Sequence, residues 1–403
     1  MSFSDVGPVQ PATSLLQEMR RAAHDVRLLS GIDLDEKAID SFIIDTLPKD
    51  LTTNSKKWLE SGYKLPLAYP SLHAELNVIC HLCFLNSLSG YRQAFHQSTG
   101  QGAHKNIVQI VLSCYLSDPA GDSSAPLSAN TLIVLNPMVL LDILGQDTHV
   151  ESKHPTLPAT ILGERRRDEL YEALETLCVA ANDTGKRLAA MKCPDLGTFV
   201  ERSLKEAASE GKDDEEQAAI FATKLTTALP AFNNSYRCKD GSIIYIHKRA
   251  LLLLSWLRAA FHSSAKAPPI PSPHVLPAFV DNVIPSLLVF WGVLKLDNAK
   301  DAVFRKWAES GRRVIEKESE EDKAVIVPGP TLNREQAYII RAAALDACKA
   351  IKDRTVQLAA DNESCAPLNN IHEALIDGFI WTQAKVPSLR NVPRMVEKKT
   401  FQY

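Results

Sequence analysis

Apolar residues recur at helical spacing along almost the whole chain, from Ser14 to Lys385, and this periodicity limits the fold more than any other feature. Residues three and four apart lie on one side of an α-helix, so the spacing predicts amphipathic helices. The predicted helices span 14–28, 34–46, 73–88, 107–115, 138–144, 163–182, 184–191, 214–229, 247–262, 277–294, 298–317, 333–358 and 367–385. One hairpin is predicted over 236–246, because Asp240-Gly241 is a favoured turn and β-branched residues follow it. The sequence therefore predicts a mainly α fold with at most a small sheet.

The composition is that of a globular protein, with 45% hydrophobic and 23% charged residues among 403. A formal net charge of −3 provides no cationic excess to displace counterions from phosphates, so nucleic acid is not expected as a partner. The length allows one or two domains. We expect a flexible N-terminus over 1–14, which is polar and contains proline, and a single helical catalytic domain over 15–403.

Three features concern the cellular compartment. The opening residues 1–5 carry neither the basic nor the apolar region of a secretory signal. The longest apolar runs, 250–257 and 283–294, are shorter than the roughly 18 residues that a bilayer-spanning helix needs. Eight cysteines without a regular framework are typical of reduced thiols. We therefore expect a soluble cytoplasmic protein without a membrane span.

A polar stripe marks the last predicted helix. Asn369, Glu373, Asp377 and Trp381 follow one another at intervals of four residues, so they lie along one face, while the remaining faces are mostly apolar. An acidic stripe that ends in a tryptophan is suited to line a pocket. The alternative is an ordinary amphipathic helix whose polar face meets water.

Asp281 lies among apolar residues on every face of a predicted helix, and a buried carboxylate must be paired, coordinated or neutralised. The alternative is that Asp281 forms an ion pair with a purely structural role. Lys248 and Arg249 open a helix directly after the hairpin, where cations and free backbone N–H groups favour an anion. Arg249 could equally be the partner of Asp281. Arg341 is a lone cation on an apolar helix and is expected to face an acid or a phosphate.

Several short blocks occur in an order that resembles the queuosine salvage family, the queuosine 5′-phosphate N-glycosylases. The blocks are NDTGK at 182–186, LPAF at 229–232, DGSIIYIHKRA at 240–250, FVDNVIP at 279–285, and the pattern of Leu375, Asp377 and Trp381 followed by a final aromatic residue. The resemblance implies that family's fold. It also implies that Lys248 binds a substrate phosphate and that Asp281 and Asp377 hold the base.

The chain departs from the family pattern at two places. The family has an acid directly after the tryptophan, where it stabilises the developing oxocarbenium charge, and this chain has Thr382. A hydroxyl cannot supply that negative charge, a loss worth several kcal/mol in a dry site. The family's LNFSFW block is also absent, since Leu85-Asn86 is followed by Ser87-Leu88-Ser89. Both departures indicate that the fold is retained and that the glycosylase chemistry is lost.

One pocket could combine these residues in a different reaction. Mg²⁺ held by acids, a diphosphate held by cations and a carbocation shielded by aromatic rings are what the ionisation of an isoprenoid diphosphate requires. The predicted metal ligands are Asp281, Glu373 and Asp377; the predicted cations are Lys248, Arg249 and Arg341; and the predicted aromatic residues are Phe279, Phe290, Trp291, Phe379 and Trp381. The chain is also similar to an atypical fungal branch of this fold, the α-humulene synthases. The usual aspartate-rich cyclase motifs are absent as such.

Three hypotheses follow in the order in which the sequence favours them. The first is a cyclase that converts farnesyl diphosphate to a cyclic sesquiterpene with Mg²⁺, with Asp281, Asp377 and Trp381 as its catalytic residues. The second is an N-glycosylase acting on a queuosine-like nucleotide. The third is a non-catalytic binding protein on the same fold.

Overall fold

The computed structural model describes residues 14–121, 125–154, 156–157, 159–315 and 328–403. Most of the described residues are helical, which confirms the predicted fold class. The helices are α1 Leu15–Leu29, α2 Glu36–Ser41, α3 Ser55–Leu59, α4 Leu72–Leu85, α5 Arg92–Thr99, α6 Ala103–Leu116, α7 Ala129–Val134, α8 Pro137–Ile143, α9 Glu169–Ala190, α10 Leu196–Glu210, α11 Asp214–Ala228, α12 Lys248–Phe261, α13 Val283–Phe290, α14 Ala302–Ile315, α15 Arg334–Asp361, α16 Glu373–Gln383 and α17 Pro387–Arg390. Among the described helices, none has the length and apolar character that a membrane crossing demands.

The strands form small two-stranded sheets. They are β1 Asp33–Leu34, β2 His149–Lys153, β3 Ile161–Arg165, β4 Ser235–Arg237, β5 Ile243–Tyr245, β6 Leu294–Lys295, β7 Pro328–Thr331 and β8 Arg394–Val396. The pairs β1–β6, β2–β3 and β4–β5 are antiparallel, and β7–β8 is parallel. The β4–β5 hairpin is the predicted one: Tyr236 pairs with Ile244, and Gly241 adopts a φ of +88° in the turn.

The backbone divides into two compact units. The first comprises Tyr69–Val200 and Lys398–Tyr403, and the second comprises Glu201–Glu397 and the residues up to Ala68. Whether 15–403 unfolds as one cooperative domain stays a prediction, since cooperativity is a property of the unfolding transition.

In the first unit, α9 packs closely on α7. The amide of Asn182 donates to the carbonyl oxygens of Leu132, Ile133 and Leu135 at 2.8, 3.0 and 2.9 Å, and so satisfies the C-terminal end of α7. Gly185 allows the contact, because a Cβ there would lie 2.6 Å from the carbonyl oxygen of Ala129. The NDTGK block therefore serves helix packing.

In the second unit, the long helix α15 packs against α1, α13 and α16. Asn333 and Gln336 form a reciprocal capping box at its start. Arg27 of α1 and Asp346 of α15 form a buried ion pair, with Nε 2.6 Å from Oδ2. The short helix α3 lies against α16. The helix α16, which carries the acidic stripe, therefore packs on both α15 and α3.

The largest departure from the predicted helices concerns Asp281. The segment 276–282 is not helical, and α13 begins only at Val283. Leu276 precedes Pro277, a position that disfavours the α conformation. Asp281 also accepts the backbone N–H of Val283 at 2.7 Å, a turn that competes with a continuing helix. The expectation that Asp281 lies on a helix is therefore wrong.

The ends of other elements also differ from the predicted ones. The predicted helix 34–46 ends as a π-helical turn over Phe42–Thr46, and the start of the predicted helix 163–182 is occupied by β3. Asn369 precedes α16, so only Glu373, Asp377 and Trp381 share that helix. The sequence reading missed the β2–β3 hairpin and the helices α5, α7 and α10.

Some expectations fall on parts of the chain that lie outside the described residues. These are the flexible terminus over 1–13 and residues 316–317 at the end of a predicted helix.

Candidate functional site

Two buried carboxylates of α16 bind adjacent backbone amides of the extended segment 276–280. Glu373 and Asp377 are one helical turn apart and only 4% and 6% exposed. Glu373 Oε2 accepts the N–H of Ala278 at 3.2 Å, and Asp377 Oδ2 accepts the N–H of Phe279 at 2.9 Å. Because the segment is extended, its N–H groups have no helical partners and are available to side chains. This pairing fixes 276–280 against α16.

Asp281 follows this segment and pairs with Lys248. The Lys248 Nζ lies 3.5 Å from Asp281 Oδ2, and both side chains are 5% exposed. Lys248 is the first residue of α12, and the preceding His247 adopts a φ of +41°. The Nδ1 atom of His247 accepts the N–H of Asn234 at 3.3 Å, which holds this turn in place. Lys248 is therefore the ion-pair partner of Asp281, a role that the sequence also allowed for Arg249.

Burial and neighbouring charges set the protonation of the site. Burial and, to a smaller extent, the charge of Asp281 raise the pKa of Asp377 to about 8, against the opposing effects of Lys248 and the Phe279 N–H. Burial lowers the pKa of Lys248, while Asp281 favours its charged form. Burial also raises the pKa of Glu373, and Arg20 opposes this shift. Asp377 is therefore mainly a neutral acid at pH 7, beside an ion pair.

The two arginines that the sequence predicted as substrate contacts, Arg249 and Arg341, bind backbone and amide groups. Arg341 donates through Nε and Nη2 to the carbonyl oxygen of Val280 at 3.1 and 2.9 Å, and through Nη2 to Asn234 Oδ1 at 2.6 Å. Arg249 donates to the carbonyl oxygen of Ala231. Both side chains help to hold the backbone that carries the candidate site. Their predicted role in binding phosphate stays a prediction.

Two of the predicted aromatic residues share one cluster. Trp291 lies 4.9 Å from Phe42 between ring centroids, and Phe379 lies 5.2 Å from Trp58 and 6.3 Å from Phe42. Sequence reasoning missed Phe42 and Trp58, which carry no motif and are more than 200 residues distant along the chain. The cluster packs an apolar wall beside the helix that carries Asp377.

The other predicted aromatic residues have different surroundings. Phe279 is buried and contributes its backbone N–H to Asp377. Phe290 is half-buried at the end of α13. Trp381 is half-buried, and the Lys385 Nζ lies 3.3 Å from the centroid of its ring, a cation–π contact.

The predicted metal ligands do not form a Mg²⁺ site in their present arrangement. Glu373 accepts Arg20 and a backbone N–H, Asp377 accepts a backbone N–H, and Asp281 pairs with Lys248. Across the described ranges, no three histidine, cysteine or acidic side chains are grouped so as to hold a metal ion. A Mg²⁺ ion prefers several oxygen ligands in octahedral geometry. In this arrangement the three acids do not supply such a set of ligands, and the Mg²⁺ expectation stays a prediction.

Thr382 occupies the position where the resembled family has its second acid. Its Oγ1 donates to the carbonyl oxygen of Gly378, four residues earlier, at 2.8 Å. This back-bond is a common use of threonine inside helices. The half-buried side chain supplies no charge to the site.

The comparison with known proteins supports the resemblance seen in the sequence. The sequence profile described as Queuosine salvage protein matches residues 186–401, which is more than half of the chain. The matched region includes Lys248, Asp281, Arg341, Glu373 and Asp377. No curated protein matches the chain. The extent of the profile match shows that the chain belongs to the queuosine salvage protein family.

Proposed function

We propose that the chain binds a nucleoside 5′-phosphate with a 7-deazaguanine-type base, such as queuosine 5′-phosphate, and hydrolyses its N-glycosidic bond. The observation that carries this proposal is the neutral Asp377 beside the Lys248–Asp281 ion pair. Two acids whose surroundings separate their protonation states are typical of acid-assisted bond cleavage. Family membership supports the substrate class.

The proposed chemistry assigns one role to each acid. In the hydrolysis, the bond between the base nitrogen and C1′ breaks, the base leaves with the electron pair and takes a proton from Asp377, water adds to C1′, and the proton that this water loses restores the acid form of Asp377. Asp377 accepts the Phe279 N–H on Oδ2, so a proton on Oδ1 is available to the departing base. Asp281, paired with a cation, provides an acceptor for donor groups on the base.

Lys248 is the candidate phosphate contact. Its ammonium group has three donors, and Asp281 engages only one side of it. The start of α12 adds free backbone N–H groups that favour an anion. Asp281 thus has a second function in this proposal, since it favours the charged form of the buried Lys248.

Thr382 limits the expected rate. The transition state of glycoside cleavage carries positive charge on the sugar, and the family's acid would stabilise it. A threonine whose hydroxyl is bonded to Gly378 supplies no such stabilisation. We therefore expect slow turnover, with binding of the nucleotide less affected than its cleavage.

A second candidate function is the cyclisation of farnesyl diphosphate to a humulene-like sesquiterpene. The cluster of Phe42, Trp58, Trp291 and Phe379 favours it, because aromatic faces stabilise a carbocation and exclude water. Thr382 favours it as well, since this reaction does not require the missing acid. The arrangement of the carboxylates does not favour it, because they do not form a metal cluster.

One experiment separates these functions. Purified protein is incubated with queuosine 5′-phosphate or with farnesyl diphosphate, each with Mg²⁺ and with EDTA, and the products are measured by liquid and gas chromatography with mass spectrometry. Release of queuine that Asp377→Asn abolishes supports the glycosylase. A volatile hydrocarbon formed only with Mg²⁺ supports the cyclase, and nucleotide binding without product supports a binding protein.

A further inference from the structure

Arg20 of α1 reaches the candidate site through Glu373. Its Nε and Nη2 atoms donate to Glu373 Oε1 at 3.1 and 2.9 Å, and Nη2 also donates to the carbonyl oxygen of Val275 at 2.9 Å. The Arg20 side chain is 20% exposed, and the Glu373 side chain is 5% exposed. One guanidinium therefore joins α1, α16 and the residue just before the segment 276–280.

Glu373 transmits this contact to the backbone beside Asp377. While Oε1 accepts Arg20, Oε2 accepts the N–H of Ala278, and the next amide along the chain, that of Phe279, donates to Asp377. A charged donor on one oxygen keeps the carboxylate ionised and oriented for the other. Without Arg20, the buried Glu373 would lose the two guanidinium donors that orient its carboxylate.

We infer that Arg20 is a positioning residue for the proposed general acid: through Glu373 it holds the 276–280 backbone so that the Phe279 N–H meets Asp377. This inference rests in part on the proposed function, because the use of Asp377 as an acid belongs to it. The placement of the backbone does not depend on that function. The metal role predicted for Glu373 stays a prediction beside this bridging role.

Two other arginines of the same helix provide matched controls. Arg21 is exposed and bonds only within α1, to Glu18 and Asp25. Arg27 forms the buried ion pair with Asp346, which joins α1 to α15 and does not include Glu373. Arg21→Gln thus controls for the substitution itself, and Arg27→Gln controls for the loss of a buried ion pair in the same unit.

The first test measures hydrogen exchange of the amides of Ala278 and Phe279 in the full chain without ligand. Arg20→Gln is expected to raise the exchange of these amides by at least about tenfold, since their acceptors lose their orientation. The two control variants, Arg21→Gln and Arg27→Gln, are expected to leave the exchange of these two amides unchanged relative to the exchange that accompanies global unfolding. Arg27→Gln is compared under conditions that match its global stability to that of Arg20→Gln. Equal local exchange in Arg20→Gln and Arg27→Gln would overturn the inference.

The second test follows the binding of queuosine 5′-phosphate from pH 5 to pH 9 by calorimetry. The charged groups that act on Asp377 are Asp281 and Lys248, and neither is altered in these variants. Arg20→Gln is expected to shift the midpoint of the pH profile and to weaken binding by about tenfold. Arg20→Lys keeps the positive charge but loses the planar guanidinium with its paired N–H donors. It is expected to recover part of the affinity that Arg20→Gln loses.

The two tests separate failure of the inference from failure of the proposed function. If the wild-type protein does not bind the nucleotide, the proposed function fails, and hydrogen exchange still decides whether Arg20 positions the segment. If the wild-type protein binds and Arg20→Gln has the same pH profile and affinity, Arg20 has only a structural role and the inference is wrong.

Discussion

The ammonium of Lys248 and the carboxylate of Asp281 lie 3.5 Å apart with both side chains 5% exposed. A charge pair that is this well buried is costly to break, because removal of one partner leaves the other without compensation. The pair also joins the start of α12 to the turn that opens α13. It therefore connects the candidate phosphate contact with the candidate base contact.

The first prediction follows from this burial. Lys248→Met is expected to lower the free energy of unfolding by about 3–5 kcal/mol, measured by urea denaturation, because Asp281 remains buried and unpaired. Lys295→Met is the control: Lys295 pairs with Asp35 but is 51% exposed, so solvent screens the pair and we expect a much smaller change in the free energy of unfolding. Equal effects of the two substitutions would contradict the importance of the buried pair.

The second prediction concerns pH and stability. The pKa of Asp377 is raised from 3.8 to about 8, so the native state binds the proton more tightly than the unfolded chain between these values. The stabilisation is complete below pH 4, declines as the pH rises, and is lost above pH 8. Asp377→Asn, which keeps an acceptor for the Phe279 N–H, removes this decline.

Denaturation of the wild type and of Asp377→Asn from pH 4 to pH 9 measures this effect. We expect the stability of the variant relative to the wild type to increase with pH, by on the order of a few kcal/mol. Parallel curves for the two proteins over this range would show that Asp377 is ionised at neutral pH, and would remove the basis for its role as an acid.

The third prediction concerns Thr382. Thr382→Asp restores the acid that the family has after the tryptophan and is expected to raise the rate of queuosine 5′-phosphate hydrolysis by about 10²-fold or more, if the added charge reaches the sugar. It is not expected to raise any cyclase activity. Single-turnover kinetics measure the effect, and Thr382→Asn is the matched uncharged control. An increase in both variants would show that the charge is not responsible.

The fourth prediction concerns the packing of α7 and α9 in the first unit. Gly185→Ala places a Cβ 2.6 Å from the carbonyl oxygen of Ala129 and is expected to destabilise the protein by about 1–3 kcal/mol. Gly163→Ala, where no atom lies within 4 Å of the added Cβ, is the control and is expected to have an effect close to zero. Thermal unfolding measures both. An unchanged melting temperature for Gly185→Ala would contradict the close approach of the two helices.

The sequence predicted most of the longer helices and the β4–β5 hairpin because local periodicity and a turn dipeptide specify them. It also predicted that Asp281 is buried, since it is a lone acid among apolar neighbours, whereas for Glu373 and Asp377 it left open a pocket or a face that meets water. It did not predict the extended segment 276–280. That segment depends on two carboxylates from a helix almost 100 residues later, which bind its amides, and no local pattern encodes this pairing.

The sequence also did not predict which residues contact the predicted site residues. Arg20 lies 353 residues before Glu373 and is one of several arginines on α1, of which Arg21 is exposed and Arg27 binds Asp346. Nothing in their spacing distinguishes the arginine that reaches the site. The same holds for Trp58, which packs on Phe379 from a short helix without a motif.

The release of queuine from queuosine 5′-phosphate, measured by mass spectrometry with wild type and Asp377→Asn in Mg²⁺ and in EDTA, tests the central claim most directly. We predict slow release by the wild type, equal in both buffers because the acids form no metal cluster, and loss of release in Asp377→Asn. No release of queuine, together with a sesquiterpene formed from farnesyl diphosphate only when Mg²⁺ is present, would contradict the account.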